Sequence, residues 1–346
     1  MERIFDEASW RKYVSGYTFY DCAILSEHEF GFILVEERDS WDDDDDRAPM
    51  TRFVAIDIDE PIERRFRGAQ TGAFSGTTIA ASEQPRAYVA VDSASKVHSI
   101  EPERSGDERA IDRVLDMSIG NGMLGTVRKA VRAAGKIYAL GIHRKIYRRI
   151  GVDQWIEFGA QGNGVPMPAD LTSQPDFIYT LGFNDMSAFS KNDMYAVGGE
   201  GDAWRFDGEQ WHQCSIPTAA KLTTVCCAGN GLVYITEQKG SVWEGRADRW
   251  QKVTGKQLPA GFYPVDSVWF NNRLYLGTQC GIFTLDKKRG KVVDLKEAEE
   301  DAPDPANSGR LDLSEDGRFL LTVGPYGACI HDGTTWCRLF SALDFS

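Results

Sequence analysis

The sequence predicts an all-β fold built from repeated four-stranded units, and three observations predict it. The first is the stretch at residues 190–211. Asn192-Asp193 is a tight turn, Met194 to Val197 an apolar run ending in Gly198-Gly199, and Gly201 to Phe206 a second run. Asp207-Gly208 turns the chain again and Trp211 opens a third run. Turn dipeptides between short apolar runs mark antiparallel hairpins. The second observation is recurrence. Tyr138, Tyr195, Tyr234 and Leu320 are followed 16 or 17 residues later by Trp155, Trp211, Trp250 and Trp336. Tyr275 has Val292 in that place. The third is the period: Tyr195, Tyr234, Tyr275 and Leu320 lie 39, 41 and 45 residues apart. A period near 40 with short strands identifies a β-propeller. The 346 residues then form a single domain, 1–346, of six or seven four-stranded blades.

Within a unit, the strand carrying the Tyr or Leu anchor is the most apolar and is placed nearest the axis. A strand precedes it: residues 185–189, 222–227, 266–270 and 310–313. Gly141, Gly198, Gly240, Gly277 and Gly324 follow the anchors and are read as turn glycines, free of a Cβ clash. The next strand carries Tyr147, Trp204, Trp243 or Phe283. The tryptophans opening the outer strands keep step with the repeat, so they are expected to pack between blades and not to stack on a ligand.

Taken in order, residues 1–20 are expected to be a ring-closing segment, with 10–20 a short helix or an outer strand. Residues 21–60 form a first, irregular blade. Residues 61–105 form a second, with 101–113 read as a long polar connection. Residues 126–165 form a third and carry a basic run: Arg128, Lys129, Arg132, Lys136, Arg144, Lys145, Arg148 and Arg149. That run is expected to be an exposed strand-turn-strand, with a phosphate or acidic-partner patch as the alternative. Residues 159–175 are Gly- and Pro-rich and read as a surface insertion, the kind of long loop where binding resides. Residues 296–308 are an acidic surface loop before the last blade.

Composition excludes several classes. Net charge is −13, which argues against nonspecific nucleic-acid binding and is compatible with a basic protein partner. No stretch is long and apolar enough to span a membrane, and no secretory signal opens the chain. The seven cysteines show no C-x-x-C spacing and read as reduced core residues of a cytoplasmic protein. The adjacent Cys226 and Cys227 are expected on opposite faces of one strand.

No catalytic fingerprint is present. His28, His98, His143, His212 and His331 are scattered, and no G-x-S-x-G elbow, P-loop or dinucleotide motif occurs. Gly198-Gly199-Glu200-Gly201 joins two strands and opens no helix, so it lacks the N-terminus a phosphate loop needs. Neither a metal site nor a cofactor is expected. Residues 313–320, LSEDGRFL, resemble the turn common in WD40-like and TolB-like propellers. Asp207 to Trp211 and His331 to Trp336 resemble the tail of the Asp-box turn of sialidase-like propellers, without its leading Ser. The resemblance covers residues 130–340 and implies blade architecture; blades serve many unrelated functions.

The sequence reading therefore favours a non-catalytic, protein-binding propeller, in concrete form an immunity protein neutralising a basic toxin. Its contacts are placed at Trp41, Asp42, Asp43, Asp44, Asp45 and Asp46, whose like charges keep them solvated, and at Gln161 and Asn163 in the Gly/Pro-rich insertion. One alternative is an enzyme acting on a sugar or small ester at the axis, with Asp185, Asp266, Glu237 and Asp193 as candidate carboxylates. Another is a scaffold subunit of a larger assembly.

Overall fold

The computed structural model describes residues 3–38, 49–111, 126–158, 164–166, 181–255, 259 and 262–345. A helix, α1 (Glu7–Tyr13), precedes seven four-stranded antiparallel blades. Blade 1 is β1 (Tyr17–Ser26), β2 (Glu29–Glu36), β3 (Thr51–Asp57) and β4 (Phe66–Thr71). Blade 2 is β5 (Thr78–Glu83), β6 (Arg86–Val91), β7 (Val97–Glu101) and β8 (Arg104–Glu108). Blade 3 is β9 (Val127–Ala133), β10 (Lys136–Gly141), β11 (Ile146–Gly151) and β12 (Gln154–Glu157). Blade 4 is β13 (Phe183–Ser190), β14 (Asp193–Gly198), β15 (Asp202–Phe206) and β16 (Trp211–Gln213). Blade 5 is β17 (Leu222–Cys227), β18 (Val233–Glu237), β19 (Val242–Arg246) and β20 (Arg249–Lys252). Blade 6 is β21 (Asp266–Phe270), β22 (Arg273–Thr278), β23 (Gly281–Asp286) and β24 (Lys291–Asp294). Blade 7 is β25 (Arg310–Leu313), β26 (Leu320–Gly324), β27 (Gly327–His331) and β28 (Trp336–Ser341).

The innermost strands β1, β5, β9, β13, β17, β21 and β25 touch one another in a closed circle. The anchors do not lie on them. Tyr138, Tyr195, Tyr234, Tyr275 and Leu320 sit on the second strand of each blade, which corrects the expectation that the anchor strand is nearest the axis. The physical reason is two-sided burial. A second strand is covered by a neighbouring blade on each face, so β14, β18, β22 and β26 are buried almost throughout and read as continuous apolar runs. The innermost strand borders the channel and carries polar groups. Cys226 and Cys227 show the two faces of one strand: they belong to different inter-blade clusters.

The outer strands carry the tryptophans. Trp211 packs with Phe183, Phe206 and Phe158, and Trp336 with Tyr275. Residues 104–108, expected to be connection, are instead β8. Its alternating half-buried pattern is that of a polar outer strand with one face toward solvent. Residues 296–308 are a largely exposed surface loop that is pinned to the blades at a few points. Glu299 accepts hydrogen bonds from the Tyr275 hydroxyl and the Trp336 indole, and Asn307 and Ser308 are buried.

Each blade keeps four strands of its own, so among the described residues no N-terminal strand is added to the sheet of blade 7. Residues 4–14 supply α1 and an aromatic cluster instead. Asp6 caps the helix, accepting the Ser9 N–H at 2.7 Å. Trp10 stacks on Phe345 with ring centroids 4.3 Å apart, and Phe5 packs against Phe66 of blade 1 and Phe340 of blade 7. Arg65 binds the carbonyls of Arg3 and Ile4, both at 3.1 Å.

The glycines after the anchors serve a purpose other than turning. Only Gly240 has a positive φ, +85°. At Gly198 a Cβ would lie 1.9 Å from the Gly182 carbonyl oxygen, and at Gly277 it would lie 2.2 Å from that of Gly309. The chain entering an innermost strand crosses these points at backbone contact. Gly198→Ala is therefore expected to destabilise the protein by more than ~2 kcal/mol, since backbone must shift. Gly151→Ala, where nothing lies within 4 Å, is the control. Urea midpoints of the two variants check this.

Candidate functional site

Chemistry-bearing groups gather at two places: the axis, and the face from which the long connections leave.

At the axis, innermost-strand side chains bond across the blade junctions. Asp21 accepts the Ile79 N–H at 3.0 Å, and Thr78 the Ala130 N–H at 2.7 Å. Asp185 accepts the Val225 N–H at 3.0 Å, and Asp266 the Leu311 N–H at 3.2 Å. Asp312 accepts the Ile24 N–H at 2.8 Å and closes the circle. Three cations neutralise these acids. Lys129 Nζ lies 3.0 Å from Asp185 and 2.9 Å from Asp266. Arg310 Nε lies 3.0 Å from Asp21 and 3.1 Å from Asp266. Arg132 reaches across to Asp312 at 3.3 Å and donates to the carbonyls of Ile24 and Ala81.

Burial governs how these groups ionise. It raises the pKa of Asp21, Asp185 and Asp312, with the neighbouring cations pulling the other way. Burial raises Asp266 too, but Arg310 and Lys129 together outweigh it and leave that carboxyl below its ordinary value. Burial opposes the Lys129 ammonium, and Asp185 with Asp266 overcomes it, so the lysine titrates above its usual range. The cavity beside this web is about 340 Å³ and is also lined by Ser187, Cys226 and Trp269.

Of the four carboxylates considered for an axial enzyme, Asp185 and Asp266 do meet, through Lys129. Asp193 pairs with Arg205 and Arg246, and Glu237 accepts the Trp243 indole N–H at 2.7 Å. Asp185 and Asp266 each hold a backbone N–H and at least one cation. Their lone pairs are engaged in closing the ring, which suits architecture better than proton transfer.

Most of the basic run of blade 3 is turned inward, against the expectation of an exposed patch, with Lys136 left exposed. Lys129 and Arg132 are axial. Arg149 is 4% exposed and binds Glu101 and Glu108 at 2.8 and 2.5 Å. Arg144 forks onto Asp202 at 2.7 and 2.8 Å. A strand between two blades offers these long side chains carboxylates on both sides, which period-2 reading alone does not reveal. Of the cysteines, burial pushes Cys214, Cys226 and Cys329 up to about 12, and Cys280 alone is exposed. Among the described residues no cluster of His, Cys, Asp or Glu could hold a metal ion. No helix among them is long and apolar enough to cross a membrane.

The second place follows from strand direction. Connections between first and second strands, and between third and fourth, leave one face. Most are two to six residues, as at 84–85, 134–135, 152–153 and 271–272, and the longest is 58–65. Connections between second and third strands, and between blades, leave the other face. The long ones, 37–50, 109–126, 158–182, 253–265 and 295–309, all belong to it. The sequence-predicted contacts fall in two of them. Trp41, Asp42, Asp43, Asp44, Asp45 and Asp46 belong to the β2–β3 connection, and Gln161 and Asn163 to the β12–β13 connection; all eight lie outside the described residues. The described ends of the first connection are tied by a bond from the Glu36 N–H to the Met50 carbonyl at 3.0 Å.

No family model matches the chain. It is 27% identical over 298 residues to the immune protein Tsi7 of Pseudomonas aeruginosa, a match covering 86% of this chain and 82% of that one. Among solved structures it is similar to a virginiamycin B lyase of Staphylococcus aureus (TM-score 0.57, 10% identity, 89% and 92% of the two chains). It is also similar to the WD40 propeller domain of Doa1 (0.52, 8%, 93% and 92%) and to YCF48 bound to D1 peptide (0.53, 11%, 92% and 94%). At such identities the structural likenesses establish the propeller fold alone.

The axial web makes a prediction with a defined sign. Lys129→Met strands Asp185 and Asp266 without a shared cation, so the variant should lose about 3–5 kcal/mol at neutral pH. Its Asp185 then titrates still further above its unfolded value. A raised folded pKa means the folded state binds the proton more readily, so the deficit should shrink as pH falls from 7 toward 5. Urea unfolding of both proteins at the two pH values checks it; a deficit independent of pH would refute the role given to Asp185.

Proposed function

We propose that this chain is an immunity protein, a non-catalytic binder that neutralises a toxic protein by covering it with the loop-bearing face of the propeller. The observation that carries the reading is the similarity to the immune protein Tsi7 along most of both chains. Two features of this molecule support it. The long connections all leave one face of a rigid ring, the arrangement by which scaffolds present binding loops. The axial acids are consumed by ring closure and not poised for catalysis.

In finer detail, the partner carries a basic surface and meets this chain in the cytoplasm. The net charge of −13 supports electrostatic steering of such a partner. The run Asp42–Asp46 with Trp41 is proposed as its docking point, and Gln161 and Asn163 as contacts from the β12–β13 connection. Nucleic acid and membrane are not proposed as partners.

The test begins with affinity purification of this chain from its native host at low and high salt, with co-purifying proteins identified by mass spectrometry. One stoichiometric basic protein, lost at high salt, is expected. Its gene should be toxic when expressed alone and tolerated when co-expressed with this chain. Replacing Asp42–Asp46 by Asn should slow association about tenfold at low salt, with little change in dissociation. A partner harmless on its own would overturn the immunity reading, and salt-insensitive association would overturn the electrostatic one.

A further inference from the structure

We infer that Tyr20, Tyr263 and Tyr326 form an aromatic contact patch for that partner, seating lysine or arginine side chains of a basic protein surface. The inference rests on the binding function proposed above and adds where on the face the partner sits. The three are 43%, 64% and 49% exposed, and they are the only exposed tyrosines among the described residues. Of the remaining exposed large apolar residues, Ile150 and Ile156 lie on the outer strands of blade 3, while Leu343 follows Ala342, whose N–H donates to the Tyr326 carbonyl at 2.7 Å, and so adjoins the patch.

Their placement is consistent. All three lie on the face of the long connections and on consecutive blades. Tyr263 is in the segment entering blade 6, Tyr326 in the β26–β27 turn of blade 7, and Tyr20 in the first half of β1 in blade 1. The Phe19 N–H donates to the Pro325 carbonyl at 3.0 Å, which sets the Tyr326 turn against the strand of Tyr20. Two residues after Tyr263, the Val265 carbonyl accepts the Lys129 ammonium at 3.1 Å, so this segment borders the axis as well. The patch therefore lies along one side of the channel mouth.

Charge decides what it takes. On the same face, blades 2 to 5 present exposed Lys96, Lys221 and Lys239, with exposed Glu200 of the β14–β15 turn beside Lys221. The tyrosine side presents exposed Glu37, and its cations Arg38 and Lys296 are paired with Glu36 and Asp304. A cationic surface is repelled from one half of the face and accepted on the other. Tyrosine rings attract ammonium and guanidinium groups over their faces, and this chain already does so nearby, with the Arg52 guanidinium 3.7 Å above the ring of Tyr17. Tyrosine also supplies large contact area at low entropic cost and is enriched among the residues that dominate binding energy.

The test uses the whole chain and the co-purifying protein, expressed separately and titrated at fixed salt. The variant Tyr20→Ala/Tyr263→Ala/Tyr326→Ala should melt like the parent, since all three rings are exposed. Its dissociation constant should rise about 100-fold, mainly through faster dissociation. Asn271→Ala/Arg289→Ala, on the opposite face, is the control and should bind like the parent. If the parent binds its partner and the tyrosine variant binds within twofold of it, the patch is overturned while the immunity function stands. If no protein binds the parent at any salt, both fall. If the parent is a dimer in sedimentation and the tyrosine variant a monomer, the patch is a contact between copies, and the inference is wrong.

Discussion

Closure of the ring is the constraint on which the rest of the molecule depends. Seven separate four-stranded sheets must meet around an axis, and no sheet borrows a strand from another. The innermost strands hydrogen-bond only on their outer edge, leaving backbone donors facing the channel. Buried donors without partners are costly. Asp21, Thr78, Asp185, Asp266 and Asp312 satisfy five of them from neighbouring blades. Carboxylates suit this task because each can accept a backbone N–H and a cation together. They also import negative charge into a buried place, which explains why Lys129, Arg132 and Arg310 stand there. The ion pairs follow from the hydrogen bonds, and the hydrogen bonds follow from closure.

Outside that circle the blades are held by shape. A buried tyrosine on the second strand of five consecutive sheets, Tyr88, Tyr138, Tyr195, Tyr234 and Tyr275, gives their interfaces the same large ring. Glycine opposite a crossing backbone lets the chain enter innermost strands such as β13 and β25 at contact distance. Neither demand reaches the connections on the far side of the second and fourth strands. Those connections are free to vary in length and chemistry while the ring stays constant, which is how one architecture comes to serve many partners.

Most of the fold was legible because it repeats. Tyr195 with Trp211 and Tyr234 with Trp250 define a unit that can be laid along the chain, and the turns at Asn192-Asp193 and Asp207-Gly208 mark its strands. The Asp-box-like turns behave as their residues imply: Asp207 and Asp332 each accept two backbone N–H groups of their own turns. Radial order was not legible. An apolar run announces burial on both faces but not distance from an axis, so Tyr195 was placed one strand too far in. β8 was missed because RSGDE has polar side chains and its partner β7 shows only in three dimensions. The axial web was partly legible. Asp185 and Asp266 stood out as candidate axial carboxylates, but Lys129 and Arg132 looked like surface charge and Arg310 drew no reading, since the partners of all three lie on other blades. Tyr20, Tyr263 and Tyr326 obey no repeat, and irregularity is itself the signal that separates them from the anchors.

The cluster around α1 has a bearing on how the chain matures. Phe5 and Trp10 emerge from the ribosome early, and their partners Phe340 and Phe345 emerge hundreds of residues later. Until blade 7 is made, the ring is an arc with an uncovered aromatic end. Blades 1 to 6 can assemble stepwise, each on the one before, but the seam cannot be sealed until blade 7 arrives.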